Sequence, residues 1–281
     1  MSAGAGFQNR DALPDHSPRT ECSQMSRHPD SLLSLTNFNG SPLDEALGWT
    51  SFQELMQRHG YVLMSGVPEE FDPVAFCRRL GAFVPQYTGK LVGDVRPEPD
   101  MDKFYHAGNT RRLVLHTEGY DFDNLPPRYL ALWCVEPNTG PGGETTLADA
   151  HAWVAGLAQE DREYLRDNIF SFQTTDAMRS LGLDLHPEHP VLEEHPDGLI
   201  VRLSHNNLVR EDGQRIGALM DDVQQYFDRT HVAVQFERRD MLVFDNWRML
   251  HARNAFTDTG RHLRRIQIAH REPARQDRAL I

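Results

Sequence analysis

Two short stretches of this 281-residue chain carry side chains that together suit a metal ion: His116-Thr117-Glu118, and Phe244-Asp245-Asn246-Trp247-Arg248-Met249-Leu250-His251. Two imidazoles and one carboxylate on one face of an ion, with the opposite face open, make the facial triad that suits non-haem iron(II) and its reaction with dioxygen. Three protein ligands leave three positions on a six-coordinate iron, enough for a chelating α-keto acid and dioxygen. Neutral histidines and one carboxylate leave the ion partly positive, which favours a dianionic co-substrate. The far carboxylate of such a molecule calls for a planar, bidentate donor, and Arg265 lies fourteen residues beyond His251.

A His-x-acid triplet proves little by itself. With 14 histidines and 41 acidic residues, roughly two arise by chance. Five occur, at His28, His116, His186, His195 and His270. The one at His116 differs because it ends the run Arg111-Arg112-Leu113-Val114-Leu115, which reads as a strand. In a strand, residues i and i+2 share a face, so His116 and Glu118 reach the same ion while Thr117 points away. The other four lie beside proline or near the termini and read as exposed loop histidines.

The elements that must position these groups follow from periodicity and punctuation. Residues 1–30 are polar and aperiodic and read as a disordered lead, so one folded domain spans 31–281. A helix is expected over 51–59, a strand over 61–64, and a second helix after the Asp72-Pro73 cap. Residues 86–110 are polar and irregular and form a candidate lid. Strands are expected up to His116 and over 129–134 and 145–148, followed by a helix capped by Asp149. Later come strands near 169–173 and 199–203, a helix over 217–229, and strands over 232–236, 241–245 and 263–269. Many short strands with few helices indicate a mainly β sandwich or barrel decorated by helices, not an alternating βαβ fold. Gly142-Gly143 precedes a strand and is a turn, not a dinucleotide-binding loop.

Composition narrows the partners. A formal charge of −12 argues against nucleic acid and anionic membrane. Among the basic residues only Lys90 and Lys103 are lysines. The three cysteines, Cys22, Cys77 and Cys134, form no spaced pair, and Cys77 and Cys134 sit in apolar runs that suit buried thiols. No segment has transmembrane length and the start lacks a signal-peptide core, so the expected location is the cytoplasm.

In this setting the chain resembles the iron(II)- and 2-oxoglutarate-dependent oxygenases that include taurine dioxygenase and clavaminate synthase. The resemblance covers most of residues 60–272. It rests on four motifs in order: His116 with Glu118, Gly142-Gly143-Glu144-Thr145, Phe244-Asp245-Asn246 with His251, and Arg265 on a late strand. It implies a double-stranded β-helix, or jelly-roll, core flanked by α-helices. It also implies that His116, Glu118 and His251 bind iron(II), and that Arg265 and Thr145 hold 2-oxoglutarate. Strand alternation places Arg264 with Ile266 and Ile268, and Arg265 on the other face with Leu263 and Gln267. Asp245 and Asn246 are expected to orient the turn that presents His251, or to hydrogen-bond the ligand histidines.

The implied reaction consumes 2-oxoglutarate and dioxygen, releases succinate and carbon dioxide, and oxidises an unactivated aliphatic C–H bond, by hydroxylation or by desaturation or cyclisation. Glu118 stands where most of the family has Asp, which tilts the expectation toward an amino-acid-like small molecule in specialised metabolism such as antibiotic biosynthesis. A carrier-tethered amino acid, with a carrier protein as partner, or a small sulfonate or aryloxy acid, are the alternatives. Arg253 is a candidate for a substrate carboxylate. Further pocket candidates are the 86–110 segment, Tyr120-Asp121-Phe122, and the polar run Ser204-His205-Asn206-Asn207, with Tyr120 and Asn206 singled out. Two other classes fit fewer features. A zinc hydrolase has no use for the late arginine and lacks a His-Glu-x-x-His helix, and a non-catalytic binding sandwich does not need a complete triad.

Overall fold

In the computed structural model, residues 30–35, 42–101, 104, 107–210 and 215–270 are described. The expected disordered lead falls outside them, except for Asp30. The chain opens with β1 (Leu32–Ser34), α1 (Pro42–His59), β2 (Tyr61–Ser65) and α2 (Pro73–Arg78). It continues with β3 (Phe83–Val84), β4 (Gly93–Val95), β5 (Leu113–His116), β6 (Tyr129–Glu136) and β7 (Thr145–Asp149). Helices α3 (Ala150–Gly156), α4 (Gln159–Asp167) and α5 (Asp176–Ser180) are interleaved with two small two-stranded sheets. These sheets pair β8 (Phe170–Ser171) with β9 (Glu188–His189), and β10 (Leu192–His195) with β11 (Gly198–Val201). The chain closes with α6 (Arg215–Thr230), β12 (Val232–Val234), β13 (Met241–Asp245), β14 (Met249–Arg253) and β15 (His262–Ile268).

Two sheets face each other. The larger has the order β1-β2-β13-β6-β15-β3, with β4 also paired to β15, and the smaller has the order β12-β7-β14-β5. This is the expected jelly roll. The apolar layers follow strand alternation. Leu242 and Phe244 of β13 join Leu132 of β6, Leu263 of β15, and Leu147 and Met249 of the smaller sheet in the interior between the sheets. Met241 and Val243 point the other way, toward Phe52 of α1 and Cys77 of α2. The outer face of the smaller sheet, through Ala148 and Leu250, is covered by Trp153, Leu165 and Met220 from α3, α4 and α6. A strand covered on both faces reads as a continuous apolar run, which is why Met241–Asp245 has its expected bounds.

Both capping assignments hold. Asp72 accepts from the N–H groups of Val74 and Ala75, and Asp149 from those of His151 and Ala152. Helix α1 begins nine residues before the expected 51, and α4 and α5 lack a sequence expectation. Residues 86–110 are not wholly irregular, because β4 aligns with Leu263–Arg265 of β15. Cys77 and Cys134 are free and buried, and burial pushes the Cys134 thiol up to about 12. Among the described residues no helix is long and apolar enough to cross a membrane.

Candidate active site

His116 ends β5, and His251 lies directly opposite it on β14. Their ring centroids are 4.1 Å apart. Thr117 turns to the other side, donating its N–H to the Leu203 carbonyl at 2.7 Å and accepting from the Leu203 N–H at 3.1 Å. Glu118 therefore returns to the face of His116, as alternation requires. Its Oε2 lies 3.9 Å from Nε2 of His116 and 3.9 Å from Nε2 of His251. All three donor atoms fall within 4.8 Å of one another.

The donor chemistry fits a divalent cation. His116 Nδ1 is 2.9 Å from the Val114 carbonyl, which can only accept, so Nδ1 carries the proton and Nε2 presents a lone pair toward Glu118. Burial lowers the His116 pKa, against the opposing charge of Glu118. Burial, with His116 and Arg265 nearby, puts His251 well below the ordinary range. Both rings are thus neutral near pH 7, the form that binds metal. An ion with bonds of about 2.1 Å sets adjacent donors roughly 3 Å apart, so the two 3.9 Å edges at Glu118 need to contract by about 1 Å. His116, Glu118 and His251 are the residues that would hold iron.

Glu118 is fixed from several directions. Its Oε1 accepts from Gln267 Nε2 at 2.8 Å and lies 3.2 Å from Arg265 Nη1. Its backbone N–H donates to Asn246 Oδ1 at 2.7 Å, and its carbonyl accepts from Asn246 Nδ2 at 2.9 Å. Gly119 follows with φ +76°, where an added Cβ would approach Pro127 Cδ to 2.8 Å, so the chain can turn back immediately after the carboxylate. Arg202, fully buried, donates to the carbonyls of Gly119, Phe122 and Asn124 and holds that turn.

Arg265 faces inward as alternation requires, and Arg264 is half exposed. The Arg265 guanidinium also donates to Gln86 Oε1, while Gln86 Nε2 donates to the Arg265 carbonyl. Thr145 is buried and shares the inward face of β7 with Leu147, the residue opposite His251. A second inward cation comes from Arg261. It is buried, its aliphatic stem lies over Gly143, and its guanidinium stacks on Phe256 at 5.1 Å. Burial draws its pKa down to about 10, and Nη1 is buried with no hydrogen-bond partner among the described residues. Gly142 has φ +82°, and a Cβ there would strike the Ala255 carbonyl at 1.9 Å, so the Gly-Gly turn packs backbone against backbone beside Arg261.

Three expectations need correction. Arg253 donates to the carbonyls of Ala107, Asn109 and Arg111, so its fork holds the segment entering β5 rather than presenting to a ligand. Asn206 is exposed. Its neighbour Asn207 is the buried amide, donating to the Tyr120 hydroxyl at 2.9 Å. Asn246 holds Glu118 instead of a histidine, whereas Asp245, which pairs with Arg128 at 2.7 Å and accepts from the Trp247 N–H, orients the turn before His251 as expected. Sequence reasoning missed Gln267, Arg261, Arg202 and the strand β14 that carries His251. The run Met-Leu-x-Ala after the Asn-Trp-Arg turn was the available signal for that strand.

Residues 29–267 match the family model described as taurine catabolism dioxygenase TauD, TfdA family. The chain is 23% identical over 236 residues to 3-((Z)-2-isocyanoethenyl)-1H-indole synthase of Fischerella ambigua, covering 76% of this chain and 84% of the relative. It is 28% identical over 179 residues to L-asparagine oxygenase of Streptomyces coelicolor, covering 63% of this chain and 52% of that protein. The fold superposes on the non-heme iron oxygenase OrfP, solved with Fe and alpha-ketoglutaric acid, with a TM-score of 0.65 at 19% identity over 85% of this chain and 83% of the other. With the match spanning both sheets and every motif of the site, the chain belongs to the TauD/TfdA family of iron(II)- and 2-oxoglutarate-dependent dioxygenases.

Proposed function

We propose that this enzyme hydroxylates an unactivated aliphatic C–H bond of a small amino-acid-like molecule, coupled to conversion of 2-oxoglutarate into succinate and carbon dioxide. The observation that carries it is the convergence of His116, Glu118 and His251, with both imidazoles neutral and Glu118 braced by Gln267. Iron(II) at these residues supplies keto-acid chelation and dioxygen activation.

The co-substrate is oriented by the chain itself. Arg265 lies against Glu118 Oε1, within the ligand sphere, whereas the far carboxylate of 2-oxoglutarate ends several ångströms from its keto group. Thr145 lies two residues along β7 from Leu147, a strand distance of about 6.6 Å, on the inward face. Arg261, beside Gly143 two residues before Thr145, is a desolvated cation whose Nη1 has no partner among the described residues. Thr145 and Arg261 are therefore the proposed pair for the far carboxylate, in place of Arg265. Among the described residues of the candidate lid, the turn 86–90 meets the site through Gln86 on Arg265.

The substrate class rests on Glu118 in the carboxylate position and on the similarity to L-asparagine oxygenase. The purified protein is expected to release succinate from 2-oxoglutarate with iron(II) and oxygen, to lose this with zinc in place of iron, and to add one oxygen to a free amino acid. Absence of iron-dependent succinate overturns the reading.

A further inference from the structure

Among the described residues, Asp121 is a carboxylate with no counter-charge. It is 3% exposed, its Oδ2 accepts from the Tyr87 hydroxyl at 2.5 Å, and its Oδ1 is buried with no hydrogen-bond partner among the described residues. The charge acting on it among the described residues is another anion, Glu118, and burial together with that charge raises its pKa to about 6, against the Tyr87 hydrogen bond. A buried carboxylate ordinarily has a cation or several donors, because desolvating the charge is costly. Here the missing partner is a donor at Oδ1.

The position of Asp121 indicates which donor. It lies three residues past Glu118 in the turn that Arg202 clamps through Gly119, Phe122 and Asn124, so its direction is fixed. On the other side stands Tyr87, whose ring meets Phe122 edge-on at 6.1 Å and is 39% exposed while its hydroxyl turns inward. Gln86, the preceding residue, grips Arg265, which in turn touches Glu118. Asp121 is therefore tied to the metal site from both sides, through the chain at Glu118 and through the 86–90 turn, and Tyr87, the residue that bonds it, reaches solvent.

We propose that Asp121, framed by Tyr87, receives the ammonium group of the primary substrate. An ammonium brings a charge and directed N–H donors, so it satisfies Oδ1 and offsets the Glu118–Asp121 repulsion in one contact. A neutral hydroxyl offers one donor and no charge. The proposal rests on the amino-acid-like substrate proposed above and names the residue that selects its amine.

The test is calorimetric titration, under nitrogen so that no turnover occurs, of the protein loaded with iron(II) and 2-oxoglutarate. The titrants are free L-amino acids, each paired with the 2-hydroxy acid of the same side chain. At least one amino acid is expected to bind about tenfold or more tighter than its hydroxy counterpart, the scale of a charge-assisted hydrogen bond. Asp121→Asn should abolish that preference, and Asp121→Glu, which keeps the charge, should retain part of it. Equal binding of the two series, no binding by any amino acid, or an undiminished preference in Asp121→Asn overturns the proposal. Titration of 2-oxoglutarate itself, made before any amino acid is added, reports on the proposed function separately and shows whether each variant is folded.

Discussion

Asn246 grips the backbone of Glu118 in both directions, its Oδ1 taking the Glu118 N–H at 2.7 Å and its Nδ2 giving to the Glu118 carbonyl at 2.9 Å. The same Nδ2 reaches the Pro127 carbonyl at 2.9 Å, and the residue is fully buried. In Asn246→Asp the acceptor survives and both donations vanish, leaving a carboxylate oxygen against two carbonyls. Iron affinity should fall about 10- to 100-fold. Stability should fall by about 2–4 kcal/mol. Iron titration and thermal melting check both, and unchanged iron affinity would remove Asn246 from the positioning of Glu118.

Gln267 gives the opposite pairing of outcomes. Its Nε2 donates to Glu118 Oε1 at 2.8 Å, while its own Oε1 is buried with no partner among the described residues. Gln267→Met removes both. Iron affinity should drop about tenfold, while the melting temperature of the metal-free protein stays level or rises because the orphaned acceptor is gone. A lower melting temperature with normal iron binding would make Gln267 a packing residue only.

Arg261 and Arg265 can be told apart by steady-state kinetics at saturating iron. Arg261→Gln should raise KM for 2-oxoglutarate about 10- to 100-fold, the loss of one charged hydrogen-bonded partner. Arg265→Gln should change it by less than about threefold. The reverse pattern would return the anchor to Arg265.

Asp240 governs a pH effect remote from the metal. Burial, assisted by the charge of Glu237, raises its pKa from 3.8 to about 6. Between these values the folded chain keeps a proton that the unfolded chain has released, so this group makes stability decline as pH rises from about 4 to 6. Asp240→Asn retains the acceptor for the Glu237 N–H, bonded at 2.8 Å, and abolishes the titration. Relative to the unchanged protein, the variant should gain melting temperature across that window. Parallel melting curves against pH would show that Asp240 titrates normally.

The sequence by itself determined what depends on neighbours along the chain. Alternation placed His116 with Glu118 and turned Arg265 inward and Arg264 outward, and side-chain capping located the starts of α2 and α3 at Asp72 and Asp149. The bounds of β13 were legible because both faces are covered, so every residue had to be apolar up to Asp245. Only the tertiary structure decided the contacts that close across the two sheets. Asn246 meets Glu118 across 128 residues of sequence and Gln267 meets it across 149, and no local period encodes such a partner. The same holds for Arg253, whose partners lie in the segment before β5, and for Arg261, whose value lies in an N–H left without a partner among the described residues. A side chain's type fixes what it can bond to, while the packing of the sheets fixes which of those bonds are made inside the protein and which are left for a ligand.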